Sequence, residues 1–331
     1  GDAPLVVKHV CDEVGLRSES IIDGTAIEQM SDAQLSEAVE SINVFGRLAP
    51  MQKQRVVEAL KKNGHVVGYM GDGVNDAPSL RAADVGISVD TASDIAKSSS
   101  DIILLEKSLG VILDGVYEGR RIYGNIIKYM KMALSSNFGN VFSVLVASIV
   151  LPFLPMIPIQ ILIQNLIYDF TQIAIPWDNV DPEFLEMPHQ WDTRSLSTFM
   201  NYMGIVSSVF DMLTFWVLWN VLGYNSVARE FYFQTGWFVE GLISQILIVH
   251  FIRTEKIPFL QSHADYRLTT ASAFGIIAAL WVPNLFRGIS GFNFVVLPSS
   301  YYIYLVLILL LYAVAIQIVK KFYIRKYKIW L

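Results

Sequence analysis

The sequence predicts two parts of different class: an α/β half-domain with a parallel sheet over residues 1–115, then an all-α bundle of six transmembrane helices over 116–331. Three observations carry this. In the first 110 residues, short apolar runs take turns with helical patterns. From Tyr129 onward long apolar runs dominate and raise the apolar fraction of the chain to 53%, high for a soluble protein. The basic residues are then distributed unevenly between the loops that separate those runs, as a membrane orders them.

In chain order, the runs at 42–45, 65–70, 85–89 and 101–105 read as buried strands. Between the first two, a helix opens at Pro50, a residue suited to a first helical position, and ends near Gly64. Such alternation implies a parallel sheet with helices on both faces, and ligands of such sheets sit at the carboxyl ends of the strands. The loop after Met70 is therefore where chemistry is expected.

A membrane span takes about 20 apolar residues. Spans are read at 129–151, 157–175, 200–222, 236–253, 268–287 and 300–320. With the α/β part in the cytoplasm, the inner segments carry Arg120, Arg121, Lys128, Lys131, Arg194, Arg253, Lys256, Arg267, Lys320, Lys321, Arg325, Lys326 and Lys328, while the outer loops carry only Arg229 and Arg287. This places both ends inside. The segment 177–199 is the weakest, being acidic with only Arg194. Trp177, Trp219, Trp237, Tyr301, Tyr302 and Trp330 fall near the expected span ends, where an interfacial aromatic belt belongs. A helical pattern beginning near Leu109 runs without proline through Tyr123 and Lys131 into the first span, and is expected to carry motion from the soluble part to the membrane.

A net charge of −5 without a basic stripe argues against a nucleic-acid partner. The single cysteine, Cys11, leaves no internal disulfide. The five histidines lack metal-ligand spacing; His250 reads as a satisfied helix polar group, and Met130 and Met132 as packing. The opening residues do not form a signal peptide, and because the first is Gly1 rather than Met the sequence is expected to begin partway through a longer protein.

The most specific signal is the loop Gly71-Asp72-Gly73-Val74-Asn75-Asp76-Ala77-Pro78. Two carboxylates four residues apart, between a strand and a helix, offer oxygen ligands to a hard cation such as Mg²⁺. The glycines permit a tight backbone and Pro78 suits the start of the next helix. Asp-Gly and Asn-Asp are common in turns, but the whole octapeptide in this context is not explained by a turn alone.

This octapeptide resembles the hinge motif of P-type ATPases, pumps of the haloacid dehalogenase-like (Rossmannoid) fold class. The resemblance implies that Asp72 helps hold the catalytic Mg²⁺ and that Asn75 and Asp76 support the metal and phosphate site. It implies that Lys53, in Arg47-Leu48-Ala49-Pro50-Met51-Gln52-Lys53, is the phosphate-binding lysine, although the sequence reads as well as a solvated helix lysine. Gly1-Asp2 resembles the end of the family's Thr-Gly-Asp motif, which gives Asp2 a place in the catalytic set. The family's phosphorylated aspartate lies in Asp-Lys-Thr-Gly-Thr, a string absent here; Asp23-Gly24-Thr25 reads only as a turn. The nucleotide-binding domain that takes ATP, the actuator domain and four membrane helices are expected upstream, so this chain alone is expected not to hydrolyse ATP.

In the membrane part, Ser136, Asn140 and Ser143 share one helix face of the first span, as do Asn165, Asp169 and Gln172 of the second. A mid-membrane carboxylate costs about 2.5–3.5 kcal/mol on insertion scales, which makes Asp169 a functional candidate. A seam of interhelical hydrogen bonds is the alternative. Asn140, Asn165 and Asp169 match the positions where P-type pumps hold their transported ions. Compared with the calcium pumps, Asn140 stands for a glutamate and Tyr168 for a threonine. The fewer carboxylates suit an ion that keeps several waters, as Mg²⁺ does. The runs Gln164-Asn165-Leu166-Ile167-Tyr168-Asp169 and Ala174-Ile175-Pro176-Trp177-Asp178-Asn179-Val180-Asp181, and the stretch 244–258, resemble bacterial magnesium-transporting P-type ATPases.

The expected function is thus ATP-driven Mg²⁺ import across a bacterial plasma membrane through an aspartyl-phosphate, with membrane lipid and the upstream part of the pump as partners. Import rests on the resemblance alone. A pump for Ca²⁺ or protons, a non-catalytic membrane partner and a membrane-tethered phosphatase of the haloacid dehalogenase type are the rivals. Asp211 and Glu240, acids inside the expected spans, belong either to the ion path or to the packing of the bundle.

Overall fold

The computed structural model describes residues 3–16, 20–106, 108 and 110–330. Gly1-Asp2, and with it the candidate Asp2, lies outside the described residues. The chain divides into two compact units, Gly1–Asp114 and Gly115–Leu331.

In the first unit, α1 (Pro4–Glu13) precedes β1 (Ile21–Asp23), α2 (Gly24–Gln29), α3 (Asp32–Ser41) and β2 (Val44–Gly46). Then come α4 (Pro50–Lys62), β3 (Gly68–Met70), α5 (Ala77–Ala82), β4 (Val85–Val89), α6 (Asp94–Ser98) and β5 (Ile102–Leu104). All strand pairings are parallel, as a two-stranded sheet β1-β2 and a three-stranded sheet β3-β4-β5. Local chemistry sets the helix starts. Ser31 and Gln34 form a reciprocal capping box on α3, Pro50 occupies the first turn of α4, and Ser93 caps α6. Ile27, Leu35, Val39, Val56 and Ala59 form the small core that α2, α3 and α4 share.

Two expectations need correction. Asp23-Gly24-Thr25 is not merely a turn: Asp23 ends β1 and its Oδ1 caps α2 by accepting the Ala26 N–H at 2.9 Å. A strand of three residues is too short to show a period of two. The strand expected at 65–70 is trimmed to Gly68–Met70 and is not buried, with Met70 41% exposed; Ile102 and Ile103 of β5 are exposed too.

The second unit is helical. One helix, α7, runs unbroken over Gly110–Val150. It is followed by α8 (Pro158–Gln172), the short α9 (Pro182–Glu186), α10 (Thr193–Trp216), α11 (Glu230–Ile252), α12 (Tyr266–Leu285) and α13 (Ser299–Tyr327). Among the described residues, five helices are long and apolar enough to cross a membrane: α7, α10, α11, α12 and α13. The second expected span, 157–175, forms a helix of 15 residues, α8, with a 3₁₀ turn at Ile175–Trp177. At 1.5 Å per residue such a helix is about 22 Å long, short of a hydrocarbon core of about 30 Å. The run Ile173-Ala174-Ile175-Pro176 interrupts it, because Pro176 has no N–H to continue the ladder.

Helix α11 is the hub. It packs against α8, α10, α12 and α13, and 89% of its most apolar stretch is buried, against 22% for α13. The aromatic belt expected at the span ends is only partly a surface feature. Trp177 is exposed, but Trp237, Tyr301 and Trp330 are buried in the core. Their polar tips are consumed inside: Tyr301 donates to the Gly236 carbonyl at 2.6 Å and the Trp330 indole to the Ile252 carbonyl at 2.9 Å.

Candidate functional site

In the first unit, β3 delivers the chain into the loop that starts at Gly71. That glycine is required by close approach: a Cβ there would lie 2.5 Å from Cβ of Asp76. Asp76 is buried and engaged on both oxygens. Its Oδ1 accepts from Lys53 Nζ at 2.7 Å and from the Tyr69 hydroxyl at 2.8 Å, and its Oδ2 from the Gly73 N–H at 3.2 Å. Lys53 therefore is not a freely solvated helix lysine; α4 carries it across to the loop. Burial alone would push the Asp76 carboxyl up, but the hydrogen bonds from Lys53, Tyr69 and Gly73 outweigh it and hold the carboxyl below its ordinary value. Burial, then the Asp76 charge, pushes the Tyr69 hydroxyl up, so it stays a donor.

Asp72 and Asn75 are exposed, and Ser93 fixes the loop by donating its N–H to the Asp72 carbonyl at 3.0 Å. The Ser88 hydroxyl holds the Gly71 carbonyl at 2.8 Å. The two carboxylates thus have different work: Asp76 orders the loop and positions Lys53, while Asp72 offers its oxygens outward. A Mg²⁺ that keeps most of its waters needs only one or two carboxylates, so this donor set fits one. No group of three acidic, histidine or cysteine residues that could hold a metal occurs among the described residues.

In the second unit, Asn165 and Asp169 lie one turn apart on an exposed face of α8. Asp169 borders an open cavity of about 580 Å³ with Asn125, Tyr129 and Gln172. Asn140 of α7 is half-buried, and its Oδ1 accepts from Gln245 of α11 at 2.8 Å. No hydrogen bond joins Asn140 to Asn165 or Asp169 among the described residues. Gln245 escaped the sequence reading because its α11 neighbours give no amphipathic contrast; 18 of the 23 residues of α11 are buried.

A second omission is larger. Asp178, just beyond α8, is wholly buried between two cations. Lys128 of α7 and Arg253 at the end of α11 each donate to its Oδ2 at 2.8 Å, and the Asp265 N–H donates to its Oδ1 at 3.1 Å. Lys128 also donates to Asn125 and to the Asn179 carbonyl, and Arg253 to Ser262 and the His263 carbonyl. Two of the cations counted as membrane-orienting charges are therefore internal, as is Lys320, which donates to the carbonyls of Phe251 and Lys256. His250 is satisfied by Ser272 at 2.9 Å.

The five helices of the second unit that are long and apolar enough to cross a membrane give the chain the build of a multi-pass membrane protein. The family model for the carboxyl terminus of cation-transporting ATPases matches residues 153–322, and the chain belongs to that family. Among its relatives, the magnesium-transporting ATPase, P-type 1, of Salmonella typhimurium strain LT2 is 52% identical over 331 residues, covering all of this chain and 36% of the relative. The protein of that name from Escherichia coli K12 is 52% identical over 328 residues, covering 99% of this chain and 36% of the relative. A calcium-transporting ATPase of Bacillus subtilis is 32% identical over 268 residues, covering 78% of this chain and 30% of the relative. The chain thus spans about a third of the length of the curated relatives it matches.

Proposed function

We propose that this chain is the carboxyl-terminal part of a P-type ATPase that uses ATP to import Mg²⁺ across the bacterial plasma membrane, with its α/β unit and carboxyl terminus in the cytoplasm. The reading makes the first unit a haloacid dehalogenase-like half-domain over 1–115 and assigns 116–331 to the stalk and membrane helices. The observation that carries it is the Lys53–Asp76 contact of 2.7 Å beside the outward-facing Asp72. Lys53 is thereby held as a fixed positive charge for a phosphoryl oxygen. Asp72, supported by Asn75, would hold the catalytic Mg²⁺, which supplies charge neutralisation to the transferring phosphoryl group. The nucleophilic aspartate and the ATP site belong to the upstream part of the pump. The names of the relatives at 52% identity support Mg²⁺ as the cargo. Asn140, Asn165 and Asp169, with Gln245 added, would hold it as neutral oxygen donors around one carboxylate, leaving room for retained waters.

In the full-length pump, Asp169→Asn removes that carboxylate at nearly constant volume. Mg²⁺ uptake and ion-stimulated ATPase are expected to be lost, while phosphorylation by inorganic phosphate at the Asp72 site survives. Both are measured on one preparation in reconstituted vesicles, across a panel of Mg²⁺, Ca²⁺ and H⁺. Retained Mg²⁺ uptake would move the ion site elsewhere, and stimulation by Ca²⁺ alone would change the cargo.

A further inference from the structure

Beyond α13 the chain reverses. Lys328 closes that helix with a φ of 54°, a left-handed conformation that a lysine adopts only where its surroundings impose it, and its N–H returns to the Ile324 carbonyl at 2.8 Å. The turn sends Trp330 back into the bundle, where it is 2% exposed. Its ring meets Phe199 of α10 and Tyr323 of α13 edge-on, with centroids 5.0 and 5.9 Å apart. Its polar groups reach two other helices. The indole N–H donates at 2.9 Å to the carbonyl of Ile252, the last residue of α11, and the Trp330 carbonyl accepts from Lys131 Nζ of α7. Trp330 is thus a bridge between α7 and α11.

The bridge meets needs at both ends. The last carbonyls of a helix have no partner within it, and here the Trp330 indole takes that of Ile252 while Lys320, whose Nζ lies 5.2 Å from the Trp330 ring centroid, takes that of Phe251. Lys131 is 2% exposed, sits 4.7 Å above the Phe199 ring and pairs with no carboxylate among the described residues. A buried ammonium without an anion is costly, so Lys131 gives up the Trp330 carbonyl only for another acceptor. Other acceptors are near: Lys131 and Trp330 line a cavity of about 620 Å³ whose wall also carries Asp181 and Asp192. The charge of Lys131 therefore has two places to go, and Trp330 decides between them.

At the same end of α7, Lys128 shares Asp178 with Arg253, the residue after α11. A single attachment there would leave α7 free to pivot, whereas a second one fixes its axis. We propose that Trp330 is a positioning residue for cation transport, acting through Lys131 to fix the tilt of α7. Asn140 stands nine residues beyond Lys131, about 14 Å along the helix. Without the bridge, Lys131 turns to the carboxylates of the cavity, α7 tilts about Lys128, and Asn140 leaves its place beside Gln245. The link to transport rests on the reading of Asn140 as part of the cation site. The Asp178 cluster still joins the two helices, so loss of the bridge is expected to shift α7 and not to unfold the bundle.

The test uses the full-length pump in reconstituted vesicles, with ATPase activity followed against Mg²⁺ concentration. In Trp330→Ala, half-maximal stimulation is expected to need about tenfold more Mg²⁺, with the maximal rate changed less than about twofold. Lys131→Met should give the same shift, and the double variant no more than either single one, because both act through one contact. Trp330→Phe keeps the ring and loses the indole donor, so a shift of about threefold is expected. A half-saturating Mg²⁺ concentration that stays put while the maximal rate falls would make Trp330 merely structural, and shifts that multiply in the double variant would separate it from Lys131; either overturns the proposal. The tilt is read without turnover, from the distance between spin labels at Tyr117→Cys and Leu260→Cys in a protein whose other cysteines are replaced. The distance distribution should broaden in both Trp330→Ala and Lys131→Met, and an unchanged one overturns the proposal. A wild-type ATPase indifferent to Mg²⁺ breaks the pump reading instead, and leaves the label distances to decide whether Trp330 positions α7.

Discussion

Asp76 and Asp178 each hold a lysine at nearly the same distance, 2.7 and 2.8 Å, yet they are different devices. The Lys53–Asp76 side chains keep 21% and 12% of their exposure, whereas Lys128 and Asp178 keep none. Asp76 sits in a loop that its own backbone N–H groups help to order. Asp178 serves two cations, and the Asn179 and His263 carbonyls together with the Asn125 and Ser262 side chains take further donors of Lys128 and Arg253. A partly wet pair can exchange one partner for water or phosphate without great loss. A dry cluster loses all its compensation at once when one member goes.

The strongest way to break this comparison is Asp178→Ala, which leaves Lys128 and Arg253 buried without an anion. Destabilisation of about 3–5 kcal/mol is expected, read as a lowered thermal midpoint of the detergent-solubilised protein. A loss under about 1 kcal/mol would mean that water reaches the cluster, and that the contrast with Asp76 is false.

Asp72→Asn sharpens the other side. It removes an outward carboxylate that makes no side-chain hydrogen bond among the described residues, so folding should be unchanged. In the full-length pump, phosphoenzyme formation from ATP should fall about 100-fold, the scale of losing one charge-stabilising group at a reacting centre. Normal labelling at ordinary Mg²⁺ concentrations would mean that Asp72 is not a ligand.

The same contrast explains what the sequence revealed. The Asp72–Asp76 loop was legible because its parts lie within eight consecutive residues and the strand and helix around it are local. Helices α7, α10, α12 and α13 were legible from long apolar runs. Lys128, Asp178 and Arg253 are separated by 50 and 75 residues, and each alone reads as an ordinary interfacial charge. Trp237 looked like a belt residue because hydropathy places it near a span end, and only the packing of α10 on α11 reveals that its indole N–H donates to Asp211. β1 was missed because three residues carry no period, and α8 was overextended because hydropathy does not register where Pro176 interrupts a helix.

The smallest expected effect concerns the wet pair and pH. A carboxyl whose value is lowered on folding contributes stability that is complete above its unfolded value and is lost as pH falls through the folded one. For Asp76 the unfolded reference is 3.8 and the folded value lies below it, so the contribution is intact at neutral pH and fades only in acid. Lys53→Met removes the strongest of the contacts that lower it, leaving burial opposed by Tyr69 and Gly73 alone. The Asp76 carboxyl should therefore titrate at higher pH in the variant, followed by carbon-13 NMR of labelled aspartate against the wild type. The stability lost at neutral pH should be modest, about 1 kcal/mol for a partly exposed pair, and should shrink below about pH 4 as both proteins protonate Asp76. A difference that stays constant into acid would show that Lys53 stabilises the loop through packing of its stem on α4 and not through the ion pair. In that case Asp76 would be ordered by Tyr69 and Gly73 alone, and the positioning of Lys53 would have to come from elsewhere.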